Sequence, residues 1–182
     1  LPETNIMFLR PRKFGKTLFT SVLENYYDKN KKESFEKLYG NTYIGKNPTK
    51  LKNSYCILRF NFSGIDTSTE EATIRGFKKE VASSIELFIN RYNLEFHVNK
   101  EDEAENILDN LFKSFYIQKP QDKIYVIIDE YDHFANELLG FNPEQFRGLV
   151  SKNGKVRKWY EILKKGTETV VDRIFITGVA PI

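Results

Sequence analysis

Gly15, Lys16 and Thr17 stand next to one another in the stretch FLRPRKFGKTLF, residues 8–19. They match the end of the pattern G-x-x-x-x-G-K-[ST]. In that pattern backbone N–H groups cradle phosphates, the lysine reaches the β- and γ-phosphates and the hydroxyl ligates Mg²⁺. The pattern requires a glycine at position 10, where this chain has Arg10. Considered alone, the three residues fit a phosphate site and a basic loop that caps a surface helix equally well.

A second candidate group is the acidic pair Asp129-Glu130 in the stretch IYVIIDEYD, residues 124–132. After an apolar strand, the first carboxylate would join the shell of a metal ion and the second would polarise a water. The alternative is a core strand followed by a solvated acidic turn. Ligands of open α/β sheets lie beyond the carboxyl ends of the strands. Because both groups follow strands in the expected order, we favour a nucleotide site with Mg²⁺.

A third candidate is Thr177, which follows the apolar residues of RIFITG. If this strand lies between the other two, the hydroxyl would lie beside the γ-phosphate. The alternative is a turn at the end of a strand.

The elements that would position these residues alternate along the chain. Short apolar runs predict strands at residues 6–9, 56–62, 124–128 and 174–176. Apolar residues at spacings of three and four predict helices at residues 74–92 and 104–115, and two more helices are expected at about 16–27 and 156–163. Segment 28–54 has a loop composition, with one helical turn at 35–38, and segment 133–154 has a mixed pattern. This order predicts an α/β layered fold.

Composition limits the classes of protein that fit. The chain has 182 residues, 40% of them hydrophobic, which suits one globular domain. A single cysteine, Cys56, excludes an internal disulfide framework and is expected to be buried. No apolar run approaches the roughly 20 residues of a membrane span, and the first residues do not form a signal peptide. We therefore expect a cytoplasmic protein.

Nucleic acid is a weaker candidate partner, because the net charge is only +3. The basic run SKNGKVRKWYEILKK, residues 151–165, would supply cations and a stacking ring. The candidates are Lys152, Lys155, Arg157, Lys158 and Trp159. We favour a solvated helix face, with the tryptophan on its apolar side.

Four stretches together resemble a known family: FLRPRKFGKTLF, ILRFNFS, VIIDEYD and FITGVAPI, in this order over residues 8–182. They are similar to the AAA-ATPase-like domain of predicted bacterial and fungal proteins, which often carry a PD-(D/E)XK nuclease-type domain downstream. Arginine at the first glycine position, together with Arg-Lys-Phe-Gly-Lys-Thr at residues 12–17, is that family's own variant of the loop.

The resemblance implies a three-layer P-loop NTPase core with a mainly parallel sheet, in which the fourth strand separates the P-loop strand from the Walker B strand. It implies ATP and Mg²⁺ as ligands and gives Thr177 the sensor position. Residues 1–182 would be a single domain cut at both ends from a longer chain. A fifth edge strand and any lid, arginine finger or nuclease-like domain would lie beyond Ile182.

Arg10 is the departure from the general pattern that the sequence leaves open. Arginine tolerates positive φ poorly, and Pro11 favours an extended residue before it. The loop could start wider and use side chains in place of backbone N–H groups. It could equally bind phosphate weakly or fill the site with its own side chains. The predicted nucleotide-binding residues are Arg10, Arg12, Lys13, Phe14, Gly15, Lys16, Thr17, Leu18 and Thr177.

The sequence therefore predicts an ATP-binding domain that hydrolyses ATP with Mg²⁺. Glu130 and Lys16 are the predicted catalytic residues, and Thr17 and Asp129 the predicted metal ligands. The alternative is a non-catalytic module that binds nucleotide or nucleic acid and regulates an attached nuclease-like domain.

Overall fold

The strands of this protein form one parallel sheet. The computed structural model describes residues 4–132 and 154–179, and in them the sheet has four strands in the order β1-β4-β3-β2. The strands are β1 (Asn5–Leu9), β2 (Tyr55–Asn61), β3 (Lys123–Asp129) and β4 (Val171–Gly178). Strand β4 lies between β1 and β3, so the strand order implied by the family resemblance is confirmed.

Strand β4 begins three residues before the predicted run. The prediction missed this start because Asp172 and Arg173 interrupt the apolar pattern. Both residues bond to the side chain of Tyr55 at the start of β2. Their polar groups are therefore satisfied within the sheet. Phe62, predicted as the end of β2, lies just after the strand and donates its N–H to the carbonyl of Asp129.

The long helices match the predicted ones. They are α1 (Lys16–Tyr27), α4 (Glu70–Tyr92), α5 (Ala104–Gln118) and α6 (Lys155–Gly166). Helix α4 starts four residues before the predicted position because the Thr69 hydroxyl accepts the N–H of Ala72 and caps the helix.

Segment 28–54 is more ordered than its composition predicts. It contains a 3₁₀ segment (Lys29–Ser34) and the short helices α2 (Phe35–Tyr39) and α3 (Tyr43–Lys46). The rings of Phe35 and Tyr39 pack on Tyr26 of α1, with centroids 5.6 and 5.5 Å apart. The prediction of a loop was therefore incomplete, because these aromatic contacts involve Tyr26 of α1, which lies outside the segment.

Helices cover both faces of the sheet and give three layers. Helices α4, α5 and α6 share one apolar cluster with the sheet, and α1 and α2 share another. Trp159 of α6 is fully buried, and its ring meets that of Phe60 edge-on at 4.9 Å. The preference for Trp159 as a core residue is confirmed, so its ring is not available to stack on a base. Lys152 of the same basic run lies outside the described residues.

Two further predictions bear on the class of protein. Cys56 is buried, with 1% of its surface exposed, as expected. Among the helices within residues 4–132 and 154–179, none has the length and apolarity required to cross a membrane.

Candidate functional site

The loop between β1 and α1 begins in the extended conformation expected before proline. The N–H of Arg10 donates to the carbonyl of Gly178 at 3.1 Å, which prolongs the pairing of β1 with β4. Positive φ angles occur later, at Lys13 (68°) and Gly15 (71°), and not at Arg10. The loop therefore makes its unusual turns at positions 13 and 15, and position 10 does not require glycine.

The N-terminus of α1 is open to an anion. Gly15 is the N-cap, and the N–H of Phe19 donates to its carbonyl at 2.9 Å. The first N–H groups of a helix have no partner within the helix, and the N-cap residue, Gly15, has no side chain that could cap them. The first turn also lacks an acidic residue. Free N–H groups and the positive end of the helix dipole favour a phosphate at this position.

Lys16 is nearly buried, with 6% of its surface exposed. Its Nζ atom donates to the carbonyl oxygen of Arg10 at 3.0 Å and to that of Pro11 at 3.1 Å. An ammonium has three N–H groups, and the described residues supply acceptors for two of them, so a third remains for a ligand. The start of the loop thus supplies the carbonyls that orient the lysine.

The Arg10 side chain points to a different neighbour. Its guanidinium carbon lies 5.1 Å from the ring centroid of Phe8, within the range of a cation–π interaction. Arg10 therefore packs on β1 through its side chain, and its predicted contact with nucleotide stays a prediction.

A cleft of about 590 Å³ lies where the loop, the start of α1 and the end of β3 meet. Cofactor pockets commonly have volumes of this order. The residues that line it are Arg12, Lys13, Gly15, Lys16, Thr17, Leu18, Glu130, Asp132 and Val179. Of the other predicted residues, Arg10, Phe14, Asp129 and Thr177 are not part of this lining.

Asp129 is fully buried, and its two carboxylate oxygens differ in their partners. Oδ2 lies 3.3 Å from Nη2 of Arg59 and 3.3 Å from the hydroxyl of Thr20. Oδ1 has no hydrogen-bond partner among the described residues. A buried carboxylate oxygen without a partner is costly unless a ligand satisfies it.

The oxygen atoms near Asp129 suit Mg²⁺. The hydroxyl of Thr20 also lies 2.9 Å from the carbonyl oxygen of Thr17, so it connects the start of α1 to Asp129. Mg²⁺ prefers oxygen ligands and is usually held by one or two carboxylates together with phosphates. The unpartnered Oδ1 of Asp129 and the hydroxyl of Thr17 are oxygen atoms of the kind that such an ion takes as ligands.

Glu130 follows Asp129 in a left-handed conformation, with φ of 52°. This conformation costs a residue other than glycine about 1–2 kcal/mol. Glu130 is half-buried and lines the cleft. Strain of this kind is concentrated at functional sites, and here it accompanies a carboxylate at the cleft.

Asp132 holds the chain where it leaves β4. It is 2% exposed, and its Oδ2 accepts the N–H of Val179 at 2.8 Å. A Cβ atom on Gly178 would lie 2.4 Å from Oδ1 of Asp132 and 2.5 Å from a ring carbon of Tyr131, so only glycine fits. Tyr131 is buried in the core.

Thr177 lies at the end of β4, next to Phe8 of β1 in the sheet. It is fully buried, and its hydroxyl has no hydrogen-bond partner among the described residues. Its carbonyl accepts the N–H of Tyr131 at 3.2 Å, which ties β4 to the turn after β3. The sensor role stays a prediction.

Sequence reasoning missed Arg59 and Thr20 as neighbours of Asp129. A charge inside the apolar strand YCILRFN could have marked Arg59, because a buried charge requires a partner. Thr20 follows Thr17 by three residues and so lies on the same face of α1.

The chain was compared with family models, curated proteins and solved structures. The model of the AAA-ATPase-like family, described as predicted AAA-ATPase, matches residues 2–182. No curated protein and no solved structure matches the chain.

Proposed function

The chain belongs to the AAA-ATPase-like family, and we propose that it binds ATP in the cleft beside α1 and hydrolyses it with Mg²⁺. The cleft that joins Lys16 and Glu130 is the observation that carries this proposal. It brings a cation and free helix N–H groups together with a carboxylate in one cleft. These are the two kinds of group that phosphoryl transfer to water requires.

The phosphates of ATP would lie at the N-terminus of α1. The free N–H groups after Gly15 meet phosphate oxygens, and the remaining N–H of Lys16 meets the terminal phosphates. Arg12 and Lys13 line the same cleft and add positive charge that offsets the charge developed during the reaction.

The base would lie against apolar surface next to the loop. Leu18 and Phe14 are 71% and 68% exposed, so both offer apolar surface beside the loop. Contact with the base of the nucleotide would cover them.

Thr17 and Asp129 would hold Mg²⁺. When bound, the ion neutralises phosphate charge and fixes the orientation of the terminal phosphate. Thr17 offers its hydroxyl from the first turn of α1, and Asp129 offers the carboxylate oxygen that lacks a partner among the described residues.

Glu130 would orient the attacking water and accept its proton. Its left-handed backbone directly follows the metal-binding carboxylate and supports this assignment. Thr177, at the end of the strand between β1 and β3, would contact the terminal phosphate through its hydroxyl.

The test is phosphate release from Mg·ATP by the purified protein and by Glu130→Gln. We expect the variant to lose hydrolysis by about 10²–10⁴-fold and to keep nucleotide binding. Glu161→Gln is the matched control, because Glu161 is exposed on α6 and pairs only with Arg157 among the described residues. It should hydrolyse ATP like the unmodified protein.

If the unmodified protein binds ATP and releases no phosphate, hydrolysis is not its function. The non-catalytic regulatory module, which binds nucleotide without turnover, would then be the better description.

A further inference from the structure

Arg59 is the one charged residue of β2, whose sequence is YCILRFN. Its side chain is 25% exposed, and it reaches from the middle of the strand to the carboxylate of Asp129 at the end of β3. The two strands pair in register, with Arg59 opposite Ile127 and Asn61 opposite Asp129. Arg59 therefore lies two residues before Asn61, the residue opposite Asp129, and its side chain is on the same face of the sheet as that of Asp129.

The guanidinium of Arg59 is held from both sides. Nη2 lies 3.3 Å from Oδ2 of Asp129 and 3.2 Å from the hydroxyl of Thr20. Nη1 donates to Oε2 of Glu24 at 3.1 Å. A planar fork with two anionic partners has little freedom to rotate, so the position of Oδ2 is fixed as well.

Glu24 is itself held by a second arginine. Its other carboxylate oxygen, Oε1, accepts from Nη1 of Arg91 at 2.7 Å. Arg91 belongs to α4 and also lies 3.7 Å from Asp28 at the end of α1. The ion pairs therefore connect α1, β2, β3 and α4, and Arg59 is the member that touches Asp129.

The consequence for Asp129 is an asymmetric carboxylate. Oδ2 lies 3.3 Å from both the Arg59 guanidinium and the Thr20 hydroxyl, whereas Oδ1 has no partner among the described residues. Partners of this kind orient metal ligands, and their loss typically lowers metal affinity by 10–100-fold.

We propose that Arg59 is a positioning residue that fixes Asp129 through Oδ2 and thereby directs Oδ1 to the divalent ion. This inference rests on the proposed function, because it assigns a determinant of metal affinity to the same nucleotide site. It adds a residue of β2 to a site otherwise built from the loop, α1 and the ends of β3 and β4.

The test is the affinity for Mn²⁺, measured by electron paramagnetic resonance in the presence of a non-hydrolysable ATP analogue. We expect Arg59→Met to weaken Mn²⁺ binding by about 10–100-fold. Affinity for the analogue in excess EDTA should stay close to that of the unmodified protein. A general loss of structure would lower the affinities for Mn²⁺ and for the analogue, whereas loss of positioning lowers only the affinity for Mn²⁺.

Arg91→Met is the matched control. It removes the neighbouring ion pair with Glu24 and leaves the contact between Arg59 and Asp129 in place. Its Mn²⁺ affinity should equal that of the unmodified protein. Equal losses in the two variants, or full Mn²⁺ affinity in Arg59→Met, would overturn the proposal.

Arg59→Lys provides a second test if Arg59→Met fails to fold. Lysine keeps the charge, but one ammonium cannot present two separate N–H arms to Glu24 and Asp129. We expect Mn²⁺ affinity between those of the unmodified protein and Arg59→Met, and unchanged affinity in Arg59→Lys would contradict the proposal. If the unmodified protein binds neither Mn²⁺ nor the analogue, the proposed function itself fails, which is a separate result.

Discussion

Lys16 and Arg10 are joined by a hydrogen bond of 3.0 Å from the lysine ammonium to the arginine carbonyl oxygen. Arg10 thus contributes to the loop partly through its backbone carbonyl, which a residue of another type at this position would also have. Its guanidinium lies over the ring of Phe8. This arrangement explains how the loop keeps its lysine oriented without the usual first glycine.

The first prediction concerns the contact between Arg10 and Phe8. In a double-mutant cycle with Arg10→Ala and Phe8→Leu, we expect a coupling free energy of about 0.5–1 kcal/mol in urea unfolding. ATP affinity of Arg10→Ala should fall only a few-fold, since the carbonyl remains. Loss of binding in Arg10→Ala alone, with no coupling to Phe8, would instead favour direct contact between the guanidinium and nucleotide.

The second prediction concerns the buried hydroxyl that connects Thr17 to Asp129. Thr20→Val keeps the shape of the side chain and removes the hydroxyl, which leaves the carboxylate with fewer donors. We expect a loss of about 1–3 kcal/mol in the free energy of unfolding. Thr20→Ser, which keeps the hydroxyl, should lose less. Equal stability of the two variants in urea would show that the hydroxyl is not required.

The third prediction concerns the close approach at Gly178. Gly178→Ala places a methyl group against Tyr131 and Asp132, so we expect destabilisation by about 1–3 kcal/mol. Val179→Ala is the control, because Val179 is 42% exposed and keeps the N–H that Asp132 accepts. Thermal unfolding of both variants measures the difference. A Gly178→Ala protein as stable as Val179→Ala would contradict the observed packing.

The fourth prediction concerns the thiol of Cys56. Burial raises the pKa of this thiol to about 12, so the folded state favours the protonated form. The resulting stability is present below the ordinary thiol pKa and is lost as pH rises from there through about 12. At pH 8 we expect a thiol reagent to react slowly with the native protein and rapidly in urea. Fast reaction of the native protein would show that Cys56 is accessible.

The sequence predicted the elements of the sheet because local patterns mark them. The apolar runs before Arg10 and Glu130 identified β1 and β3, and their order along the chain was sufficient to propose a site. The position of β4 between them followed from the family resemblance and is confirmed. Apolar periodicity did not predict the start of β4, because Asp172 and Arg173 bond to a residue of a different strand.

Long-range contacts explain what the sequence did not predict at the site. Arg59 and Asp129 are 70 residues apart, and only the pairing of β2 with β3 brings them together. The position of the Arg10 side chain over Phe8 depends on the path of the loop, which position 10 alone does not determine. Local sequence therefore identified candidate ligands of the nucleotide and not the residues that orient them.

Calorimetric titration with Mg·ATP tests the central claim most directly, when the unmodified protein is compared with Lys16→Ala and Lys113→Ala. Lys113 is an exposed lysine of α5 that pairs with Asp109, so its variant controls for loss of a positive charge. We predict saturable binding to the unmodified protein and to Lys113→Ala, and none to Lys16→Ala. Absence of binding to the folded, unmodified protein, or equal binding to Lys16→Ala, would contradict a nucleotide site at this loop.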